Sequence, residues 1–310
     1  MPSFQPFSGM FLQIGGSYYE FMPHPLFPDD KLTVFALEGG TAFVYQLRNP
    51  DTGNLYALKV FKSGYRTEHI AQITQALVRY RDLTPLQPEQ RICLTRMNYP
   101  QTVSSHPELE YAILMRWLEE PTWTGLLLNP ATSARYTRQQ ALTLAQTTAN
   151  VLWDLEAHGV AHGDLAGNNL VPLLGYKRIA LLDLEDMYIP GTPTPRKFSQ
   201  GTPGYQHRHL GPRGQWCPEG DRFAGAVLLT EILTWWEPRV RALLPDHAET
   251  LFSPEEVQVP GTPFWRVVRE TLYRLNPNFL ALFDRAWSSN TLTDCPGLDV
   301  WATTLLSHFS

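Results

Sequence analysis

Cysteine is scarce in this sequence: Cys93, Cys217 and Cys295 stand far apart among 310 residues. They show neither metal-ligand spacing nor a paired framework, so a disulfide scaffold and a zinc module are excluded and a reducing compartment is expected. Each is read as a buried apolar residue. Long apolar runs are missing as well, so no membrane-spanning helix is expected. The opening stretch, MPSFQPFSGMFLQIGG, lacks the basic start and continuous apolar run of a secretory leader, and the expected location is the cytoplasm. There is no long basic run, and the formal net charge is −5, so neither nucleic acid nor an anionic membrane surface is expected as the main partner. Nothing in the sequence sets an oligomeric state.

What is present fits a folded chain. Hydrophobic residues make up 43% and charged residues 18%, enough apolar content for one large domain or two lobes with a sizeable core. Proline is plentiful, with 26 residues clustered at 2–28, 84–107, 190–218 and 238–263, and these clusters are read as connections and loops.

The most informative stretch is residues 162–186, HGDLAGNNLVPLLGYKRIALLDLED. Residues 170–173 and 179–182 are short apolar runs on either side of the turn-forming Gly175-Tyr176-Lys177, which predicts a hairpin. Such a hairpin brings Asp164 and Asn169, ahead of its first strand, near Asp183, just after its second. Two carboxylates and an amide on rigid strand ends suit a magnesium ion, which takes hard oxygen ligands and keeps substrate phosphate in its shell. A plain surface hairpin with polar ends is the bland alternative.

Along the rest of the chain, residues 1–30 are rich in aromatics and proline and show no period; they are either an extension packed on the first lobe or a lead-in. Strands are predicted at 31–36, 43–48, 55–61, 91–97 and 110–118, with a helix at 66–81 for which Thr67 is the N-cap. Lys59 lies inside the apolar strand LYALKVF. It either meets an anion that offsets its desolvation or faces solvent from an edge strand. Glu68, the one acid of the predicted helix, either reaches Lys59 or simply favours the first helical turn. Residues 119–121 begin a crossover. Beyond it the pattern is helical: 138–158 with Gly159 as a C-terminal stop, 221–236 apolar nearly all round, and further helices within 264–274, 278–288 and 297–308.

In this order the parts resemble a protein kinase over roughly residues 31–310, and the tone of HGDLAGNN and LLDLEDM is similar to bacterial eukaryotic-like Ser/Thr protein kinases. Leu37-Glu38-Gly39-Gly40-Thr41-Ala42-Phe43-Val44 fills the place of the glycine-rich loop. Tyr56-Ala57-Leu58-Lys59 matches the V-A-I-K strand, and His162-Gly163-Asp164 through Asn169 matches the catalytic loop. Asp183-Leu184-Glu185 occupies the D-F-G position. Gly201-Thr202-Pro203-Gly204-Tyr205 resembles the end of a Ser/Thr kinase activation segment, and Asp221 matches the aspartate that opens the family's buried helix.

The resemblance implies an α+β, two-lobed fold: a small antiparallel sheet lobe with one main helix (31–118), preceded by an extension (1–30), and a larger, mainly helical lobe (119–310). It implies transfer of the γ-phosphoryl group of ATP to a protein Ser/Thr hydroxyl with Mg²⁺ or Mn²⁺. Lys59 would hold the α- and β-phosphates, with Glu68 as its partner. Asn169 and Asp183 would ligate the metal, and Asp164 would orient the acceptor hydroxyl and take its proton. Leu37, Gly39, Gly40 and Thr41 would cover the phosphates. Adenine would lie against Met115, Trp117 and Leu118, covered by Val44 and Ala57 and closed by Val171 or Leu173.

The sequence departs from the family pattern at several points. The loop has two glycines rather than three, with Leu37 and Ala42 at the outer places. Gly163 replaces an arginine, Ala166 a lysine and Glu185 the last glycine of D-F-G. His207-Arg208-His209 stands where A-P-E is expected. The missing lysine is shared with aminoglycoside-type phosphotransferases, which also favour H-G-D. A small-molecule kinase and a nucleotide- or partner-binding pseudokinase therefore stay open beside the protein kinase.

Overall fold

Alternating apolar residues in AFVYQLR and LYALKVF build the centre of the first of two units, Met1–Arg81 with Gln87–Glu119. The computed structural model describes residues 4–87, 91–244, 250–258 and 261–309; residues 1–3 of the expected extension and parts of the proline clusters 84–107 and 238–263 lie outside these. The architecture is α+β. Strands β1 (Phe11–Ile14), β2 (Ser17–Phe21), β3 (Ala36–Glu38), β4 (Ala42–Arg48), β5 (Leu55–Phe61), β6 (Ile92–Cys93) and β7 (Ile113–Arg116) form one antiparallel sheet. Its order is β1-β2-β4-β5-β7-β6, with β3 also on β4. Strand β4 pairs with β5 from Ala42 opposite Phe61 to Arg48 opposite Leu55. The turn that joins them is closed by the Asn49 side-chain oxygen, which accepts the N–H groups of Asp51 and Thr52.

Tyr45, Leu47, Leu58, Val60 and Leu114 on one face join Leu12, Ile14, Tyr19 and Phe21 in a continuous apolar cluster. The opposite face places Ala42, Phe61 and Ile113 against Ile70 of helix α1 (Glu68–Leu77).

The first thirty residues therefore contribute two strands to the sheet. Gly15 and Gly16, both at positive φ, join β1 to β2, and the buried alternation in these strands is carried by Leu12, Ile14, Tyr19 and Phe21. The strand predicted at 31–36 shifts to Ala36–Glu38, leaving only an isolated bridge from Val34 to Pro23. The strands at 91–97 and 110–118 shrink to Ile92–Cys93 and Ile113–Arg116. Between them lies a helix, α2 (Pro100–Ser105), and Tyr111 sits at φ 66, which interrupts extended backbone ahead of β7.

The second unit is Asp82–Leu86 with Glu120–Ser310. It carries α3 (Trp123–Leu128), α4 (Pro130–Ser133) and α5 (Arg138–Ala157). It then has the hairpin β8 (Leu170–Leu173) and β9 (Arg178–Leu181), followed by α6 (Arg222–Thr234) and α7 (Pro238–Arg241). The remaining helices are α8 (Pro254–Gln258), α9 (Pro263–Leu275), α10 (Pro277–Ser288) and α11 (Leu298–Phe309). Helix α5 starts at a reciprocal cap: Thr137 accepts the Gln140 N–H, and the Gln140 side chain accepts the Thr137 N–H. Gly159, at φ 67, ends it. Helix α6 is buried on every side from Phe223 to Thr234, as its apolar sequence requires.

Among the described residues six helices begin at a proline: α2, α4, α7, α8, α9 and α10. At the first helical position proline forfeits no hydrogen bond and its φ is already helical, so prolines read as loop markers here start helices. Cys93 and Cys295 are buried, Cys217 is half-buried, and none of the three forms a disulfide among the described residues. No helix among the described residues is long and apolar enough to cross a membrane.

Candidate functional site

The hairpin β8–β9 anchors the site in the second unit. Its register pairs Leu170 with Leu181, and the Leu182 N–H donates to the Asn169 carbonyl at 2.9 Å, so Asn169 and Asp183 leave the hairpin at the same end. Asp183 adopts a left-handed conformation (φ 54, ψ 55), a region that aspartate tolerates better than most residues and that turns the chain sharply out of the strand.

The segment from His162 to Asn169 is fixed to this hairpin through His162, which is fully buried. One ring nitrogen, Nδ1, faces the Asp164 N–H at 3.4 Å, and the other, Nε2, lies 2.7 Å from the Leu182 carbonyl. In this arrangement Nδ1 is placed to accept and Nε2 to donate. The backbone N–H groups of His162 and Gly163 both donate to the Asp221 carboxylate, at 2.5 and 3.0 Å. Burial pushes the Asp221 carboxyl up from its ordinary range, while these two N–H donors pull against that shift. Asp221, which precedes α6, bonds inward to this loop backbone and makes no side-chain cap bond to the helix.

Asp164 is half-buried. Its carbonyl accepts from Asn169 Nδ2 at 2.8 Å, and its Oδ1 accepts from the Thr202 hydroxyl at 2.9 Å. The first bond occupies the amide nitrogen of Asn169 and so turns the amide oxygen the other way. Gly163 sits at φ 77, and a Cβ there would lie 2.5 Å from the Asp186 carbonyl oxygen, so the loop demands glycine at this position.

For a divalent cation the donor chemistry fits: a carboxylate (Asp183) and an amide oxygen (Asn169) at one end of a rigid hairpin are hard ligands of the kind magnesium takes beside water and phosphate. No group of three or more His, Cys, Asp or Glu residues able to hold a metal occurs among the described residues.

In the first unit, register and the two-residue period place Leu37, Val44, Ala57, Lys59 and Met115 on one face of the sheet. Lys59 lies in the central strand and is only 4% exposed, which removes the solvent-facing edge reading. Its ammonium group stands 5.3 Å from the centre of the Phe61 ring. Leu37 is exposed, as are Gly39, Gly40 and Thr41 in the turn closed by the Gly39 N–H on the Ala42 carbonyl. Met115, Trp117 and Leu118 are half-buried, and Trp117 packs on Phe35 with ring centres 5.5 Å apart. Glu68, expected beside Lys59, is exposed in the first turn of α1; burial raises the Tyr111 phenol, and the charges of Glu110 and Glu68 add to that. Val171 is buried in β8 and Leu173 half-buried, both in the second unit.

One pair of residues escaped the sequence reading. Glu231, on α6, is fully buried; one oxygen accepts from the Tyr205 hydroxyl at 2.6 Å and the other from the Leu251 N–H at 2.9 Å. The signal was a single acid inside an otherwise apolar helix, which cannot stay buried without partners. Compared with protein-family models and with curated proteins, the chain matches none of either.

Proposed function

We propose that the chain is an ATP- and magnesium-dependent Ser/Thr protein kinase of the eukaryotic-like kind. The observation that carries this reading is the Asp164 carboxylate. Its backbone is tied to His162 and Asn169, and one of its oxygens already accepts the hydroxyl proton of a threonine at 2.9 Å. A carboxylate held in this way suits orientation of an acceptor hydroxyl and removal of its proton as the hydroxyl oxygen attacks phosphorus.

Asn169 and Asp183 would hold magnesium, which when bound neutralises phosphate charge. Lys59, desolvated in its strand, would be offset by the α- and β-phosphates. Val44, Ala57 and Met115 would supply an apolar face for adenine, with Trp117 and Leu118 as further contacts. Such transfer rests on positioning and on charge neutralisation more than on covalent chemistry, so residues locked by buried partners suit it. The contact of Thr202 with Asp164 also favours a polypeptide acceptor, because it sets a chain segment beside the base.

The test is incubation with γ-labelled ATP and Mg²⁺ or Mn²⁺, offering generic protein acceptors beside aminoglycosides and choline. Label on protein Ser or Thr supports the reading. Label only on a small molecule points to a phosphotransferase of the aminoglycoside type, and nucleotide binding without transfer points to a pseudokinase.

A further inference from the structure

The second unit contains a cleft of about 250 Å³ walled by Gly204, Gln206, His207, Arg208, Pro254 and Val257. Its first wall residue comes two positions after Thr202, and two residues of chain reach at most about 7 Å. The cleft therefore lies close to the hydroxyl that bonds Asp164. Gly204 is held at φ 89, where a Cβ would stand 2.6 Å from the Phe252 carbonyl oxygen, so this wall keeps its backbone bare.

The charge of the wall comes down to one group. His207 is 3% exposed; its Nδ1 faces the His209 N–H at 3.1 Å and its Nε2 meets the Ser289 hydroxyl at 2.9 Å, which fits a neutral ring. Glu256, next to Val257, has one oxygen on the Thr262 hydroxyl and the other on the Ser253 N–H. Arg208 is half-buried, donates from one nitrogen to the Trp287 carbonyl, and has no carboxylate partner among the described residues. A guanidinium has five N–H donors, so most of its fork is available to a ligand.

We propose that this cleft receives an acidic side chain of the acceptor polypeptide, close in sequence to the phosphorylated hydroxyl, with Arg208 as the specificity-determining residue. The proposal rests on the protein-kinase reading above. A carboxylate is the natural occupant because it matches the planar fork and neutralises a cation that has no counter-charge among the described residues.

The experiment uses the full chain and a set of single-serine peptides with Glu, Gln or Lys placed in turn at each flanking position. Rates are compared for wild type, Arg208→Gln and Arg208→Glu. Wild type should show one position at which Glu exceeds Gln by about tenfold in kcat/KM. Arg208→Gln should abolish that preference, and Arg208→Glu should turn it towards Lys. Transfer without an acidic preference in wild type overturns the proposal whatever the variants do, and so does a preference that survives in Arg208→Gln. If no peptide is labelled by wild type, the protein-kinase reading falls and takes this inference with it.

Discussion

The Tyr205 hydroxyl donates to Glu231 across 2.6 Å in the interior of the second unit, tying the segment that carries Thr202 to the buried helix α6. Burial pushes the Glu231 carboxyl from 4.5 up to about 7, against the pull of its hydrogen-bond donors. The same burial, with the Glu231 charge beside it, pushes the Tyr205 phenol well above its ordinary value, so tyrosine remains the donor.

This pair has a pH signature. Unfolded, the carboxyl loses its proton near 4.5; folded, it keeps it to about 7. Between those values the folded state binds more protons, so the group's contribution to stability is full below 4.5 and is lost as pH rises through about 7. The loss should be on the order of 3 kcal/mol. Glu231→Gln has no charge to form, and its amide can donate to the tyrosine oxygen, so its stability should be flatter across this range. Urea unfolding midpoints at acidic and mildly basic pH measure this, and parallel pH profiles for wild type and variant would refute the shift.

Asp164→Asn retains an oxygen able to accept the Thr202 hydroxyl, so the segment should stay in place while the base is lost. Turnover should fall by about 10²–10⁴-fold, with ATP affinity nearly unchanged. Single-turnover transfer and nucleotide titration separate the two effects. An equal loss of ATP binding would make Asp164 a structural residue.

Two substitutions test the nucleotide side. Asp183→Ala should remove the additional thermal shift that Mg²⁺ produces in the presence of ATP while leaving the fold intact. Lys59→Met should weaken ATP binding without melting the sheet, because methionine preserves much of the apolar stem that is buried at 4% exposure. Full activity of Lys59→Met would mean that the lysine is satisfied within the protein and serves no phosphate.

Where the sequence carried a strong local signal, it could be read directly. The turn at Gly175 and Tyr176 announced the hairpin that sets Asn169 and Asp183 at one end, and the apolar run around Val227 announced a buried helix. The strands β1 and β2 were hidden because their alternation is short and surrounded by aromatics and prolines, although Gly15-Gly16 is a two-residue hairpin signal. Prolines such as Pro100 and Pro263 have two meanings, loop or first helical residue, and only the packing of the residues after them distinguishes the two. Glu231 was missed for a different reason: its partners lie 26 and 20 residues away in sequence, beyond any local pattern.

If the chain is the kinase proposed above, its regulation turns on Gly163. In kinases with arginine at this place, the cation beside the catalytic aspartate calls for a counter-charge, commonly a phosphate on the activation segment. Here the position has φ 77 and stands against the Asp186 carbonyl, so it carries no cation and strains any side chain. The segment from 186 to 205 contains four prolines, which restrict its backbone before any modification. Its hydroxyls already have local work: Thr192 donates to the Ile189 carbonyl at 2.7 Å, Ser199 accepts the Gly201 N–H at 3.1 Å, and Thr202 is on Asp164. Thr194 is exposed. Activity should therefore not depend on phosphorylation of this segment. Purified protein is treated with phosphatase, the phosphatase is removed, and initial rates are compared with those of untreated protein and of Thr192→Ala, Thr194→Ala and Ser199→Ala. All should agree within about twofold, a rate difference worth well under the roughly 1.4 kcal/mol of a tenfold change. A large loss on dephosphorylation, restored by rephosphorylating one of these residues, would show that a phosphate orders the segment by a route that does not use position 163.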